Sequence, residues 1–349
     1  MKSYDIVEWG RPLQAVIRDT PVPQGEQVLV RVEACGVCHS DLHIRGGFLD
    51  MGPDRKVSFE ALGLELPFTL GHEIVGTVVA AGAEASVPVG ARRVVFPWIG
   101  CGQCRHCRRG DELSCEANVG LGTRRPGGYA DHVLVPHSRY LLDYGELDPF
   151  FAATLACSGL TAFSALRKLP AFTSDDTILL LGAGGLGMQA LGLAPRVTSA
   201  RVIVADIDPA KLALAKERGA SEVLDLSQEG GVARLRAMAG EGMRGVIDFV
   251  GAPTTLDFAL QSLGKGGTVI LVGLYGGALP LPLPLLPSRN VTLRGSYVGT
   301  LAEMQELLAL ARAGKVAGVP LFPRPMADIN EALDELAAGR VQGRIVAVV

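Results

Sequence analysis

The rhythm of apolar and polar positions changes once along the chain. Up to about residue 155 the apolar residues come in short runs, such as Gln27 to Ala34 (QVLVRVEA) and Ile74 to Ala81 (IVGTVVAA), separated by Gly, Pro and charged turns. Side chains point alternately to the two faces of a strand, so this part reads as a set of short β-strands. From Thr177 the texture becomes strand, glycine cluster, helix, strand. Ile178 to Leu181 and Arg201 to Ala205 (RVIVA) are followed by Ile247 to Val250 and Thr268 to Val272. Continuous apolar strands alternating with helical stretches predict βαβ units around a parallel sheet. Beyond Tyr297, Leu301 to Ala313 reads as an amphipathic helix and Arg344 to Val349 as a closing strand. The expected class is α/β, with a β-rich domain joined to a doubly wound parallel sheet and no solenoid repeat.

Composition narrows this picture without changing it. A chain of 349 residues, 48% hydrophobic, has material for two cored domains, and its 44 glycines imply many tight turns. The net charge of −3, with no basic block, argues against nucleic acid or an anionic membrane as partner. No stretch is expected to span a bilayer, the run Leu279 to Pro287 being short and broken by proline. Met1 to Gly10 carries Lys2, Asp5 and Glu8 and does not resemble an export signal, so a cytoplasmic location is expected.

Candidate chemistry begins with seven cysteines. Four of them, Cys101, Cys104, Cys107 and Cys115, form a C-x2-C-x2-C-x7-C ladder. Closely spaced cysteines in a cytosolic chain favour a metal over disulfides or a redox pair, and four thiolates close a tetrahedral zinc site that is structural. Cys35, Cys38 and Cys157 remain. Cys38 lies in Cys-His-Ser-Asp (38–41), and Gly71-His72-Glu73 opens a strand. Two cysteines and a histidine would give zinc three ligands and leave one position for chemistry. Spacing alone leaves the plainer alternative open, with Cys35 and Cys157 as small buried apolar residues and His72 as a hydrogen-bonded turn residue.

In the second half, Gly182-Ala-Gly184-Gly185-Leu186-Gly187 follows a strand and opens a helix. Glycines there let the backbone approach a pyrophosphate, and the helix N-terminus offers it N–H groups. Asp206 closes the next strand, 19 positions beyond Gly187, where a carboxylate grips an adenosine ribose. That carboxylate repels a 2′-phosphate, and Ile207-Asp208 supply no arginine, so NAD is expected over NADP. The competing reading makes Asp206 the helix cap ahead of Pro209.

Cys38-His39-Ser40-Asp41, Gly71-His72-Glu73-Ile-Val-Gly76, the ladder, Gly127-Gly128-Tyr129-Ala130 and the glycine fingerprint occur together and in order. The chain thereby resembles the zinc-dependent medium-chain alcohol dehydrogenases over nearly its whole length. Cys157-Ser-Gly-Leu-Thr161 is similar to their tetrameric bacterial and archaeal branch. The resemblance implies a GroES-like catalytic domain over residues 1–157, a Rossmann NAD-binding domain over 158–297, and a return to the catalytic domain over 298–349. It implies two Zn2+ per chain and NAD, with the catalytic zinc on Cys38, His72 and Cys157 and Glu73 as a transient ligand. Asp41 would orient His72, while Ser40 and His43 would relay the alcohol proton outward. His39 and Arg344 would face the pyrophosphate, Lys211 the adenosine ribose, and Thr161 and Val298 the nicotinamide. The activity implied is hydride transfer between a primary or secondary alcohol and NAD by a homotetramer, or a dimer.

The long connection Gly46 to Leu66 is expected over the substrate entrance, with Phe48, Leu49, Trp98 and Val298 as pocket walls favouring medium or bulky alcohols. The rivals are an NAD(P)-dependent reductase of another carbonyl or an enone, which would ordinarily lack Cys38, His72 and the ladder, and a nucleotide-binding redox sensor without enzymatic activity.

Overall fold

The computed structural model describes all residues from Met1 to Val349. Its first half is built on Val28–Gly36, a strand buried along most of its length because it has neighbours on both edges. Glu73–Ala81 and His132–Val135 pair with it antiparallel, and so does Arg344–Val348 from the C-terminus. Arg92–Val95 and Leu141–Leu142 extend the sheet on one side and Leu321–Pro325 on the other, giving seven strands. A three-stranded sheet of Gln14–Ile17, Lys2–Ile6 and Phe68–Thr69 lies beside it.

The second sheet is parallel and six-stranded. Its order runs Glu222–Asp225, Arg201–Asp206, Thr177–Leu181, Met243–Asp248, Thr268–Leu271, Thr292–Gly295. In sequence order these are strands three, two, one, four, five and six, so the winding reverses between Thr177–Leu181 and Met243–Asp248. The loops at the carboxyl ends diverge there and leave a crevice. Thr177–Leu181 is entirely buried, as its central position and helix-covered faces demand.

One helical rod joins the two sheets. Pro149–Arg167 is continuous over 19 residues, with mean hydropathy 1.5. This corrects the expectation that no segment is long and apolar enough to cross a bilayer. Its apolar character answers to packing, since 83% of it is buried inside the protein. The rod is α-helical at both ends and opens into a single π-turn, Leu155–Gly159. A continuous apolar core runs from the seven-stranded sheet through this rod to one face of the parallel sheet.

Ile345 on the C-terminal strand is 2% exposed within that core. Ile345→Ala is expected to lower the unfolding free energy by about 2–5 kcal/mol in a urea titration. A loss below about 1 kcal/mol would mean that this strand contributes little to the sheet.

Candidate active site at the seam between the sheets

Four chain segments converge where the helical rod crosses the end of Val28–Gly36. Cys38 caps the helix His39–Gly46, and its N–H donates to Asp41 Oδ2 at 2.9 Å. His72 and Glu73 enter at the start of the strand Glu73–Ala81, while Cys157 projects from the π-turn. Donor atoms of Cys38, His72, Glu73 and Cys157 all lie within 4.8 Å of one another, and all four residues are buried. The Cys38 and Cys157 sulfurs are 3.9 Å apart.

The residues fit a zinc ion. Neither ring nitrogen of His72 has a hydrogen-bond partner, nor does Glu73 Oε2. Buried polar atoms left alone cost about 1–3 kcal/mol each, so one imidazole nitrogen and the Glu73 oxygen beside two thiols point to a cation that collects them. Asp41 Oδ1 stands 3.4 Å from His72 Nδ1, which leaves Nε2 as the metal-facing nitrogen. Tyr129 Oη donates to Asp41 Oδ2 at 2.6 Å and fixes that carboxylate. The Cys157 thiol hydrogen-bonds to Cys38 and holds it well below the usual thiol range; the same contact, with burial, pushes Cys157 well above. Burial draws His72 down, but the neighbouring Asp41 and Cys38 charges outweigh it and leave it raised. A dication lets both thiols ionise and keeps the imidazole neutral.

Glu73 is paired from behind by Arg344, whose guanidinium is itself only 3% exposed. Burial still raises the Glu73 carboxyl to about 7 against the opposing pull of that arginine. Arg344 packs with Glu73 against the glycine turn, its Nη1 3.3 Å from where a Cβ on Gly185 would stand. Its Cδ lies 2.6 Å from where a Cβ on Gly185 would stand.

The ladder forms a second, separate cluster. Its four sulfurs lie within 4.8 Å of one another, with Cys104 to Cys107 at 3.5 Å and Cys101 to Cys107 at 4.0 Å. Tetrahedral zinc with Zn–S bonds of about 2.3 Å sets its sulfurs about 3.8 Å apart. All seven cysteines are free thiols, as a metal-binding role requires and a stapled loop does not allow. Backbone N–H groups of Gln103 and Cys104 bring Cys101 down to about 6. The lobe is moored by Glu112, unnoticed in the sequence, whose buried carboxylate accepts from Gly100 N at 2.8 Å and Tyr140 Oη at 2.9 Å and pairs with Arg139.

Cys38 and Cys157 also line a cleft of about 290 Å³ between the two halves. Across it lies the glycine turn, with Gly182, Gly184, Gly185, Leu186 and Gly187 in the wall. A Cβ on Gly187 would stand 1.9 Å from the Gly182 carbonyl oxygen, so the turn admits only glycine there. A Cβ on Gly184 would meet nothing in the chain, so its glycine is explained by room for a ligand's close approach. These residues fit a dinucleotide. Asp206 stands at the far end and accepts from Ala183 N, Ile207 N and Asp208 N. The helix cap is Asp208, which accepts from Ala210 N, so the capping alternative for Asp206 falls.

His39, Ser40, His43, Thr161, Lys211, Trp98 and Val298 all reach the same cleft. Burial lowers both His39 and His43 below the ordinary 6.5. Val298 is β-branched yet holds φ at 37°, a strained conformation of the kind found where a chain is shaped for a ligand. Trp98 is locked by its Nε1–H, which donates to Ala156 O at 2.9 Å. Its ring lies 5.3 Å from His72 and meets Tyr297 edge-on at 5.6 Å.

Phe48 and Leu49 are the misplaced wall residues. They belong to a hairpin, Phe48–Asp50 with Lys56–Ser58, whose tip leans on the other half of the protein: Gly277 N donates to Asp50 O at 3.3 Å. Phe48 lies outside the cleft under the Lys56 ammonium, 4.0 Å from ring centroid to nitrogen. The walls missed are Phe249, Val250, Val272, Leu274 and Tyr297. All follow carboxyl ends of parallel strands, and that rule was the available signal.

Residues 24–144 match the family described as alcohol dehydrogenase GroES-like domain, and residues 185–313 match zinc-binding dehydrogenase. The chain is 38% identical to an NAD-dependent alcohol dehydrogenase of Sulfurisphaera tokodaii, with 100% of each chain covered. It is 37% identical to that of Saccharolobus solfataricus, again over 100% of both. The alcohol dehydrogenase of Aeropyrum pernix superposes with a TM-score of 0.90 at 32% identity, covering 100% of both chains. The chain belongs to the zinc-dependent medium-chain alcohol dehydrogenase family.

Two zinc ions per chain are the expected result of elemental analysis. Cys104→Ser should leave one and lower Tm by several degrees, because a closed tetrathiolate site contributes folding energy. An unchanged metal content and Tm would remove the ladder as a structural site.

Proposed function

We propose that this protein oxidises a primary or secondary alcohol to the aldehyde or ketone with NAD, and reduces the carbonyl in reverse. The observation that carries the reading is a single cleft that has the Cys38 and Cys157 thiols on one wall and the Gly182–Gly187 turn on the other. Zinc, when bound by Cys38, His72 and Cys157, supplies a Lewis acid that makes the alcohol proton easier to remove. Residues 1–157 and 298–349 serve as the catalytic domain and 158–297 as the nucleotide domain.

The chain's own residues then position and deprotonate. Gly182, Gly184, Gly185 and Gly187 admit the pyrophosphate, Asp206 takes the adenosine ribose hydroxyls, and Lys211 lies beside it. A groove of about 640 Å³ lined by Ile207, Leu226, Thr255 and Phe258 adjoins Asp206 and suits a flat base. Thr161 and Val298 border the nicotinamide, with Trp98 and Tyr297 flanking the substrate. His39 stays near the phosphates, and Arg344 supports the same turn from behind. Ser40 and His43, one turn apart on the helix His39–Gly46, carry the proton outward. A neutral histidine accepts a proton, and burial keeps His43 neutral near pH 7. Glu73 Oε2 has no partner and is free to exchange as a zinc ligand. The parallel sheet ends in an unpaired edge, Thr292–Gly295, with exposed Leu283 on a neighbouring loop, which supports a homo-oligomer.

Cys38→Ser should lower NAD-linked alcohol oxidation by about 1000-fold or more, roughly 4 kcal/mol of barrier, while NAD binding followed by fluorescence persists. Retained turnover sinks the mechanism. Asp206→Gly combined with Ile207→Arg should raise NADP preference, and an unmoved preference would show that Asp206 does not read the ribose.

His43 provides the pH test. Its pKa is depressed, so the proton-accepting form is complete well above 6.5 and is lost as pH falls through the lowered value. Oxidation should therefore fall on the acid side in the wild type. His43→Gln should remove that limb and lower kcat by roughly 10–100-fold. An identical pH profile in the variant would show that the proton leaves by another route.

A further inference from the structure

The π-turn that presents Cys157 is held by side chains that the proposed reaction does not use. A π-turn shifts the backbone register by one residue and leaves carbonyls to be satisfied by side chains. Here Ser158 Oγ donates to Thr154 O at 2.9 Å, and Trp98 Nε1 donates to Ala156 O at 2.9 Å. Thr154 Oγ1 in turn donates to Phe151 O at 2.8 Å and accepts from Gln189 Nε2 at 3.3 Å. Thr154, Ser158 and Gln189 are all fully buried.

Gln189 is the unexpected member. It lies on the helix Gly185–Val197, whose first turn is the glycine-rich nucleotide turn, and it points at the rod that carries the metal ligand. Its Oε1 has no partner although the residue is wholly buried. An unsatisfied buried amide oxygen destabilises the fold, and an unbranched apolar side chain of similar length would fill the space without that cost. A residue that weakens the fold while gripping the turn beside a ligand points to a role in the site.

We propose that Gln189, acting through Thr154, is a positioning residue that fixes the register of the π-turn and so aims the Cys157 thiolate at the catalytic zinc. The same contact ties the aim of that ligand to the helix on which the dinucleotide sits. This inference rests on the zinc reading given above.

The test uses the full-length holoenzyme, with cobalt exchanged into the Cys38–His72–Cys157 site in parallel. Gln189→Met keeps length and removes the hydrogen bond. It should shift the thiolate-to-cobalt absorption band and speed zinc loss to a chelator by roughly 10–100-fold, while Tm stays level or rises. Thr154→Val should reproduce both effects, and Thr154→Ser, which keeps the hydroxyl, should restore the wild-type band. A wild-type band and wild-type zinc retention in Gln189→Met would overturn the proposal. So would equal losses in Thr154→Val and Thr154→Ser, which would mark a packing effect alone. A Cys38→Ser protein whose thiolate-to-cobalt band matches the wild type would place all of that band in the ladder and overturn the zinc reading and this inference together, a result distinct from the other two.

Discussion

Concentrating ionisable groups in a dry seam is the constraint on which this structure depends. Two thiols, an imidazole and a carboxylate, all on buried residues, lie within 4.8 Å of one another. Without a compensating cation, two thiolates and a carboxylate at that range repel by several kcal/mol. The protein answers on two sides: an opening for a metal at the front, and the Arg344 guanidinium behind Glu73. That arginine comes from the last strand, so the chain must finish the whole nucleotide sheet and then return to the first one. The return strand therefore serves charge balance as much as packing.

Distance across the cleft is set by the rod Pro149–Arg167. Cys157 on its π-turn faces the metal site, while Thr161, one turn on, reaches the cleft. The rod packs against the helix that begins at the glycine turn, so metal ligand and nucleotide turn are fixed to each other by two helices in contact. Hydride transfer needs its partners held at close range, and rigid elements do that better than loops.

Local features were legible in the sequence and long-range ones were not. The ladder, the glycine turn with Asp206 and the strands of the parallel sheet each follow from spacing or period within a short window. Cys38, His72 and Cys157 stand far apart in sequence, and no residue-level rule brings them together; family resemblance did. The length of Gly46–Leu66 is visible in the sequence, but that its hairpin sets Phe48 under Lys56 and reaches Gly276–Ala278 is not. Arg344 stands out in the sequence only by the segment Gly343-Arg344-Ile-Val. Its pairing with Glu73 depends on strand register, which sequence does not display. Pro149–Arg167 is long and apolar enough to cross a bilayer, against the expectation of no such segment, and is buried by neighbours that the sequence does not display.

The two cysteine clusters also differ in how tightly they bind the fold to function. The ladder is closed and anchored by Glu112 to Tyr140 and Arg139, away from the cleft. Yet Trp98, three residues before Cys101, hydrogen-bonds to Ala156 and stands between His72 and Tyr297. A lobe loosened by metal loss would free Trp98 before it freed any zinc ligand of the cleft. The ladder thus lies close in sequence to a ring that lines the cleft and satisfies one carbonyl of the π-turn.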